Sequence, residues 1–371
     1  MSLVRQMDWV LFGATLPLLF AGLITMYSFV GENYFFERQV LWIAISLGVF
    51  FALSTVDYRF LRRGGVLVVF YLAALLSLVL LAIFGELVRG SQSWFNLGIF
   101  SIQPADFMKI LLIIILAKYF SRRHIEIAHV RHILVSGLYA LIPFLLILIQ
   151  PDFGSAVIIF FIWLGMIMIS GVSKRHLFLV MLLATVTFGF LWGFGFTENQ
   201  RARIVSFLNP LADIRGAGYN AFQSTVAVGS GEILGRGVGF GTQSRLSFLP
   251  EYETDFIFAA FAEEWGFIGV MIVLSLYGVI LWRILANAFV GDTNLETLFG
   301  IGLSIFFVSH IAINIGMNVG LLPVTGLTLP FMSYGGSHLL SEFIGLGILM
   351  GMRRHARSTH RSLLTREFVG L

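Results

Sequence analysis

Apolar residues fall in long runs along this chain, and charged residues are confined to the gaps between them. Ten runs reach the length needed to cross a hydrocarbon core of about 30 Å. They cover Trp9 to Val30, Gln39 to Val56, Gly64 to Gly85, Phe107 to Phe120, His132 to Gln150, Phe153 to Val172, Leu177 to Phe196, Phe256 to Trp282, Leu298 to Leu322 and Ser337 to Met352. The fourth and tenth are short. The pattern predicts an all-α integral membrane protein, a polytopic bundle of about ten transmembrane helices forming a single membrane domain over residues 1–371. The longest gap, residues 197–255, is expected to be a large loop between helices 7 and 8, and residues 353–371 a disordered tail resting on anionic lipid.

Charge then gives the predicted orientation. Arg5, Arg59, Arg62, Arg63, Lys118, Arg122, Arg123, Arg131, Lys174, Arg175 and Arg283 fall on one set of alternate gaps, and the tail adds Arg353, Arg354, Arg357, Arg361 and Arg366. The opposite short gaps hold Arg38, Arg89 and Lys109. By the positive-inside rule both termini are cytoplasmic, which an even number of spans requires, and the 197–255 loop is extracytoplasmic. The weakest vote comes from the gap around Asp292 and Glu296, which carries little positive charge.

Composition supports the same class. With 58% hydrophobic and 12% charged residues, the 371-residue chain cannot cover a soluble globule with polar groups. The net charge of +4 sits in the gaps, where it reads as topology and not as a nucleic-acid-binding face. The chain has no cysteine, which excludes disulfides, thiolate metal sites and a cysteine nucleophile. The first run lacks a small-residue cleavage site and is read as a retained helix.

Candidate chemistry gathers on the predicted outer side. The glycine-rich stretch from Gly229 to Asp255 lies between two apolar runs and must sit in water or line a cavity, because unpaired backbone cannot face lipid. It places Asp255 at the mouth of a helix. Between the third and fourth runs, Pro104 suits a first helical turn, and Asp106 and Lys109 are spaced i, i+3 on one face. A lysine there is either half of a structural ion pair or a cation lining a cavity for an anion. Asp152 sits in the QPDFGSA turn between two spans. Arg201, Arg203, Arg215, Arg236 and Arg245 all lie in the large loop, and guanidinium forks suit diphosphate oxygens. GRGVGFG lacks the strand and βαβ unit of a dinucleotide loop. Glu263, Glu264 and Glu342 lie inside spans, where bonding to neighbouring helices is favoured over a polar path or metal site. His310 and Asn314, spaced i, i+4, read as packing glue. LPVTGLTLPFMSYGGS, which holds Ser333 and Ser337, is uncharged and irregular, and is expected to fold back over something.

The motifs WFNLGIFSIQP, QPDFGSA, GAGYNAFQS, GTQS, FLPEYETDFIFA and LPFMSYGGS make the chain resemble the SEDS (shape, elongation, division and sporulation) family over essentially all ten runs, on its RodA-like side because the tails are short. The resemblance implies a peptidoglycan glycosyltransferase of the bacterial cytoplasmic (inner) membrane that polymerises lipid II, an undecaprenyl-diphosphate-linked disaccharide peptide, at the outer face during cell elongation. It implies a class B penicillin-binding protein transpeptidase and other elongation-complex membrane proteins as partners, and no nucleic acid. The family's essential aspartate falls on Asp255, its lysine on Lys109, the acidic partner on Asp106 and the outer-loop arginine on Arg203. Arg201, Arg245, Asp152, Ser333 and Ser337 join these as candidate substrate contacts. No organic cofactor is implied, and a divalent cation, Mg or Mn, is a candidate at the diphosphate. Two positions depart from the family pattern: Asp106 stands where most relatives have glutamate, and Ser93 where they have arginine.

With a diphosphate leaving group, one base and one cationic clamp suffice, and Asp255 is the expected general base. Two rivals stay open on the sequence: a flippase that transports the lipid-linked precursor, with Asp255 and Glu263 as relay sites, and a non-catalytic scaffold for wall synthesis.

Overall fold

The computed structural model describes residues 7–28, 34–62, 64–85, 92–96, 98, 101–122, 130–209, 217–246 and 248–369. Helices dominate: α1 Trp9–Tyr27, α2 Tyr34–Thr55, α3 Gly64–Phe84, α4 Pro104–Ser121, α5 Val130–Ile149, α6 Phe153–Ile169, α7 Lys174–Phe190, α8 Glu198–Leu208, α9 Ala217–Ser230, α10 Thr242–Arg245, α11 Ile257–Phe289, α12 Asn294–Asn318 and α13 Gly336–Val369. A short antiparallel pair, β1 Phe95–Asn96 and β2 Ser101–Ile102, precedes α4, with Phe95 opposite Ile102.

A helix lies on each of the ten apolar runs. Among the described residues, seven helices are long and apolar enough to cross a membrane. α6 falls short with 17 residues, while α4 and α13 carry charges. Local chemistry sets several starts. Asp8 caps α1 by accepting from the Val10 and Leu11 N–H groups at 3.2 and 3.1 Å, and Pro104 opens α4 where a missing N–H costs nothing. Thr197 and Gln200 form a reciprocal capping box at the head of α8.

Three expectations change. The 197–255 segment, expected as a large loop, holds three helices, α8, α9 and α10. The segment beyond Arg353 was expected to be disordered, yet α13 continues as helix through Val369, in a stretch with no Gly or Pro to stop it after Met352. The eighth run extends to Phe289 and is broken at Gly266, whose φ of 65° and ψ of −168° interrupt the helix. Glycine alone adopts that backbone cheaply.

α12 is the central helix, two thirds buried, whereas α7 is almost wholly exposed on the bundle surface. α4, α6 and α11 pack on α12, and α2 packs along α13. Lipid supplies no hydrophobic drive between helices, so polar links matter for holding them together. At one end of the bundle, Asp8 Oδ2 accepts from Arg283 Nε at 2.9 Å and Asn287 Nδ2 at 2.8 Å, with Arg353 Nη1 3.3 Å away. This joins α1, α11 and α13. We call it the Asp8 end, and the opposite one the Asp255 end.

Candidate active site at the Asp255 end of the bundle

Asp255 closes the turn that leads into α11. Its position is fixed through the main chain: its carbonyl accepts from Asn314 Nδ2 and Asn318 Nδ2 of α12, each at 3.0 Å. Asn318 Oδ1 accepts in turn from the Ala259 N–H at 3.2 Å and from Ser224 Oγ of α9 at 3.2 Å. One residue earlier, the Thr254 carbonyl accepts from Ser333 Oγ at 2.6 Å, and the Glu253 carbonyl from the Tyr334 N–H at 2.8 Å. The 319–335 segment thus folds back over the turn, as its prolines and glycines suggested.

The side chains converge at Gly326. A Cβ built there would lie 3.5 Å from Asp255 Oδ2 and 3.9 Å from Arg203 Nη1, and the residue has a φ of +74°. A glycine therefore sits between the carboxylate and the guanidinium, where any side chain would touch both. Asp255 is half-buried and Arg203 exposed. Arg203 also borders a small apolar cleft with Phe153, Phe196, Gln200, Ile204, Pro323, Val324 and Thr325. On the turn, burial first and the Glu253 charge second raise the Tyr252 hydroxyl above its ordinary pKa, which keeps it a neutral hydrogen-bonding group.

Lys109 lies elsewhere, in a closed network. Its Nζ is 3.0 Å from Asp106 Oδ1, with side chains 1% and 2% exposed. His338 Nδ1 is 3.5 Å from the same oxygen, and His338 Nε2 is 2.9 Å from Glu342 Oε1, within ion-pair range but off the hydrogen-bond direction of the ring. The His310 ring lies against His338 at 4.4 Å between centroids. Glu342 Oε2 accepts the Phe331 N–H at 3.1 Å. Of the two sequence readings of Lys109, this geometry is that of a structural pair, extended by α13 into a chain of four groups. It reaches Asp255 through backbone: Glu342 holds Phe331, and two residues on Ser333 holds Thr254.

The remaining candidates separate. Asp152 caps α6 by accepting from the Ser155 N–H at 3.0 Å, while its other oxygen accepts from Gln103 Nε2 at 2.7 Å. Ser337 Oγ accepts from the Gln103 N–H at 3.0 Å. Ser333 is buried, and its hydroxyl also accepts from the Leu329 N–H at 2.8 Å. Arg201 Nη2 donates to the Gly193 carbonyl at 3.0 Å. Arg245 is exposed on α10. Arg215 lies outside the described residues. Ser93 is buried.

Sequence reasoning passed over His338, Asn318 and Gly326. Asn318 follows Asn314 by one helical turn, a spacing that marked a polar stripe on α12. His338 carried no local signal, and Gly326 was marked only as part of the irregular LPVTGLTLPFMSYGGS segment. Among the described residues no three His, Asp or Glu side chains converge to hold a metal ion. A Mg²⁺-type ion needs no such cage, since it keeps waters and takes one or two carboxylates plus substrate phosphates.

An all-helical polytopic membrane bundle, with a half-buried carboxylate and an exposed guanidinium both near Gly326 at one end, defines the class: a polytopic membrane protein with a candidate site at the Asp255 end. The sequence matches the FtsW/RodA/SpoVE model, described as cell cycle protein, over residues 5–358. It is 36% identical over 360 residues to stage V sporulation protein E of Bacillus subtilis, covering 94% of this chain and 98% of that one. It is 33% identical over 349 residues to the peptidoglycan glycosyltransferase MrdB of Escherichia coli K12, covering 94% of each. Among solved structures, the rod shape determining protein RodA of Thermus thermophilus superposes with a TM-score of 0.71 at 29% identity, covering 94% of this chain and 97% of that one. A chain from a peptidoglycan synthase complex that coordinates polymerization and crosslinking gives 0.80 at 31%, covering 94% and 98%. The chain belongs to the FtsW/RodA/SpoVE family, the SEDS proteins, and is a glycosyltransferase.

Proposed function

We propose that this protein polymerises lipid II into glycan strands at the outer face of the bacterial cytoplasmic membrane during cell elongation, with Asp255 as general base. The observation that carries the reading is that Asp255 Oδ2 and Arg203 Nη1 both lie within 4 Å of a Cβ built at Gly326. One group can take a proton while the other, beside it, receives negative charge.

In the step we infer, a sugar hydroxyl of one lipid-linked unit gives its proton to the Asp255 carboxylate as its oxygen attacks the anomeric carbon of a second unit. The bond from that carbon to the diphosphate breaks, and its electron pair leaves on the polyprenyl diphosphate. Arg203 sits where it can offset the charge developing on the leaving group, with Arg245 exposed on the same loop as a further candidate. Asp152, Ser333 and Ser337, first considered as substrate contacts, act in this reading by positioning α6, the Asp255 turn and Gln103. A divalent cation, Mg or Mn, would add positive charge at the diphosphate, with Asp255 as a carboxylate able to hold it.

The arrangement in the membrane belongs to the same proposal: ten spans, both termini cytoplasmic, and residues 197–255 outside. The cations gathered near the Asp8 end support that sense, since Arg283, Arg353 and Lys118 all lie there or on gaps of the same set. A class B penicillin-binding protein is the proposed partner, and likeness to a chain of a peptidoglycan synthase complex supports it.

The test is glycan formation from purified lipid II by the purified protein with its transpeptidase partner, read as a ladder of polymer on a gel. Polymer that disappears with the Asp255→Asn variant in an otherwise intact complex is the expected result. Movement of lipid II across vesicles without polymer would replace this reading by the flippase, and neither activity would leave the scaffold.

A further inference from the structure

The sequence places the glycine-rich stretch in water or around a cavity, but its side chains and its depth point elsewhere. Depth follows from two links between α1 and α11. At the Asp8 end, Asp8 bonds Arg283 and Asn287; at the Asp255 end, Ser28 Oγ donates to Glu264 Oε1. Between these links α1 rises about 30 Å, the thickness of a hydrocarbon core. Glu264 therefore lies at the membrane boundary.

Residues 231–240 hang on α11 at that level. The Arg236 N–H donates to the Glu263 carbonyl at 2.9 Å, the Gly237 N–H to the Glu264 carbonyl at 3.0 Å and the Gly239 N–H to Glu264 Oε1 at 2.9 Å. Past the break at Gly266, the N–H groups of Phe267 and Ile268 donate to the carbonyls of Glu232 and Ile233 at 2.9 and 3.2 Å. These bonds supply many of the partners that water would otherwise provide, which lowers the usual bar to backbone meeting lipid. The side chains they present are apolar and uncovered: Ile233 is 66% exposed, Leu234 79% and Phe240 67%. Ile233 is joined through its backbone to Ile268 of α11, which with Phe267 is exposed on the same membrane-spanning helix. The loop thus extends a lipid-facing surface that α11 begins.

We propose that residues 231–240 form an interfacial seat, with Ile233, Leu234 and Phe240 inserted into the phospholipid leaflet at the Asp255 end. Exposed Glu232 and Arg236 flank the apolar tip and keep their charges among the headgroups. The seat holds the broken helix α11 at a constant height where it emerges toward the Asp255 turn. Phospholipid is the occupant because the patch continues a membrane-spanning face at the membrane boundary. The inference does not rest on the glycosyl-transfer reading.

The chain has no cysteine, so Leu234→Cys offers one labelling site. The full chain, labelled there with bimane and placed without partner in phosphatidylethanolamine and phosphatidylglycerol vesicles, should show blue-shifted emission and protection from iodide. Its fluorescence should be lost in lipids brominated high on the acyl chains more than in lipids brominated near their ends. Phe240→Cys, labelled in the same way, should behave alike and decides the matter if the Leu234→Cys protein is not monodisperse. Water-like emission with free iodide quenching overturns the proposal. So does protection that arises only when the transpeptidase partner is added, which would make the patch a protein interface.

Discussion

Asp106 and Asp255 are both aspartates at the head of a helix, and the fold treats them in opposite ways. Asp106 is 2% exposed, with Lys109 and His338 against one oxygen, so its charge is consumed inside the bundle. Asp255 is fixed by its carbonyl, through Asn314 and Asn318, while its carboxylate stays half-exposed beside exposed Arg203. A buried charge chain is costly to assemble and punishing to interrupt, which suits a brace between helices. The Asp255 carboxylate instead stays partly exposed at the end of the bundle. Under the proposed function, reaction and support are divided between two carboxylates, connected by the Phe331 to Ser333 segment.

Asp255→Asn should have the largest effect. It preserves shape but cannot accept a proton, so polymerisation should fall by about 10² to 10⁴. Thermal unfolding in detergent should be unchanged. Equal activity in the variant would falsify the division, since the open carboxylate would then be as structural as the closed one.

Lys109→Met probes the other side. Removing the nearest cation from buried Asp106 should destabilise the protein by about 3–5 kcal/mol, as breaking a buried pair does, and activity should fall along with the melting temperature. Replacing both partners, Asp106→Leu with Lys109→Met, should restore most of that stability. If Lys109→Met melts like the parent yet makes no glycan, the lysine acts on substrate and the comparison fails.

A smaller change sharpens the geometry. At Gly326→Ala the added methyl would sit 3.5 Å from Asp255 Oδ2, and its φ of +74° costs an L-residue about 1–2 kcal/mol. The rate should drop by more than that loss of stability implies, because the methyl occupies the point of convergence. A rate that falls only in step with unfolding would move the substrate away from Gly326.

Asp8 gives the mildest effect and links stability to pH. Burial alone would raise its carboxyl, but bonds from Arg283, Asn287 and the Leu11 N–H, with the charge of Arg353, outweigh burial and hold it below the ordinary range. Its folded pKa is therefore below the unfolded value near 3.9, so its contribution is full at neutral pH and fades as pH falls below about 4. Melting temperature against pH should show a shallower acid limb in Asp8→Asn than in the parent. Parallel curves would mean that the Asp8 link contributes nothing.

Much of this was legible along the chain. Run length alone located the helices on the ten apolar runs, though not α8, α9 and α10, because crossing lipid demands a number of consecutive apolar residues and leaves few alternatives for backbone hydrogen bonds. The Asp106 and Lys109 pair followed from i, i+3 spacing, and Asp255 from its place at the mouth of a long run. These are local properties, set within a few turns of one helix.

Tertiary structure decided which polar groups meet across the bundle. His338 reaches Asp106, Asn318 reaches Asp255, and Arg203 comes to Gly326 through helix packing, over separations in sequence where no periodicity survives. The same packing assigned Asp152 and Ser337 to Gln103, and hung the glycine stretch on Glu263 and Glu264 at the membrane boundary. A sequence records that a carboxylate must find a partner in a medium without water, but the partner is chosen by whichever helix face is packed against it.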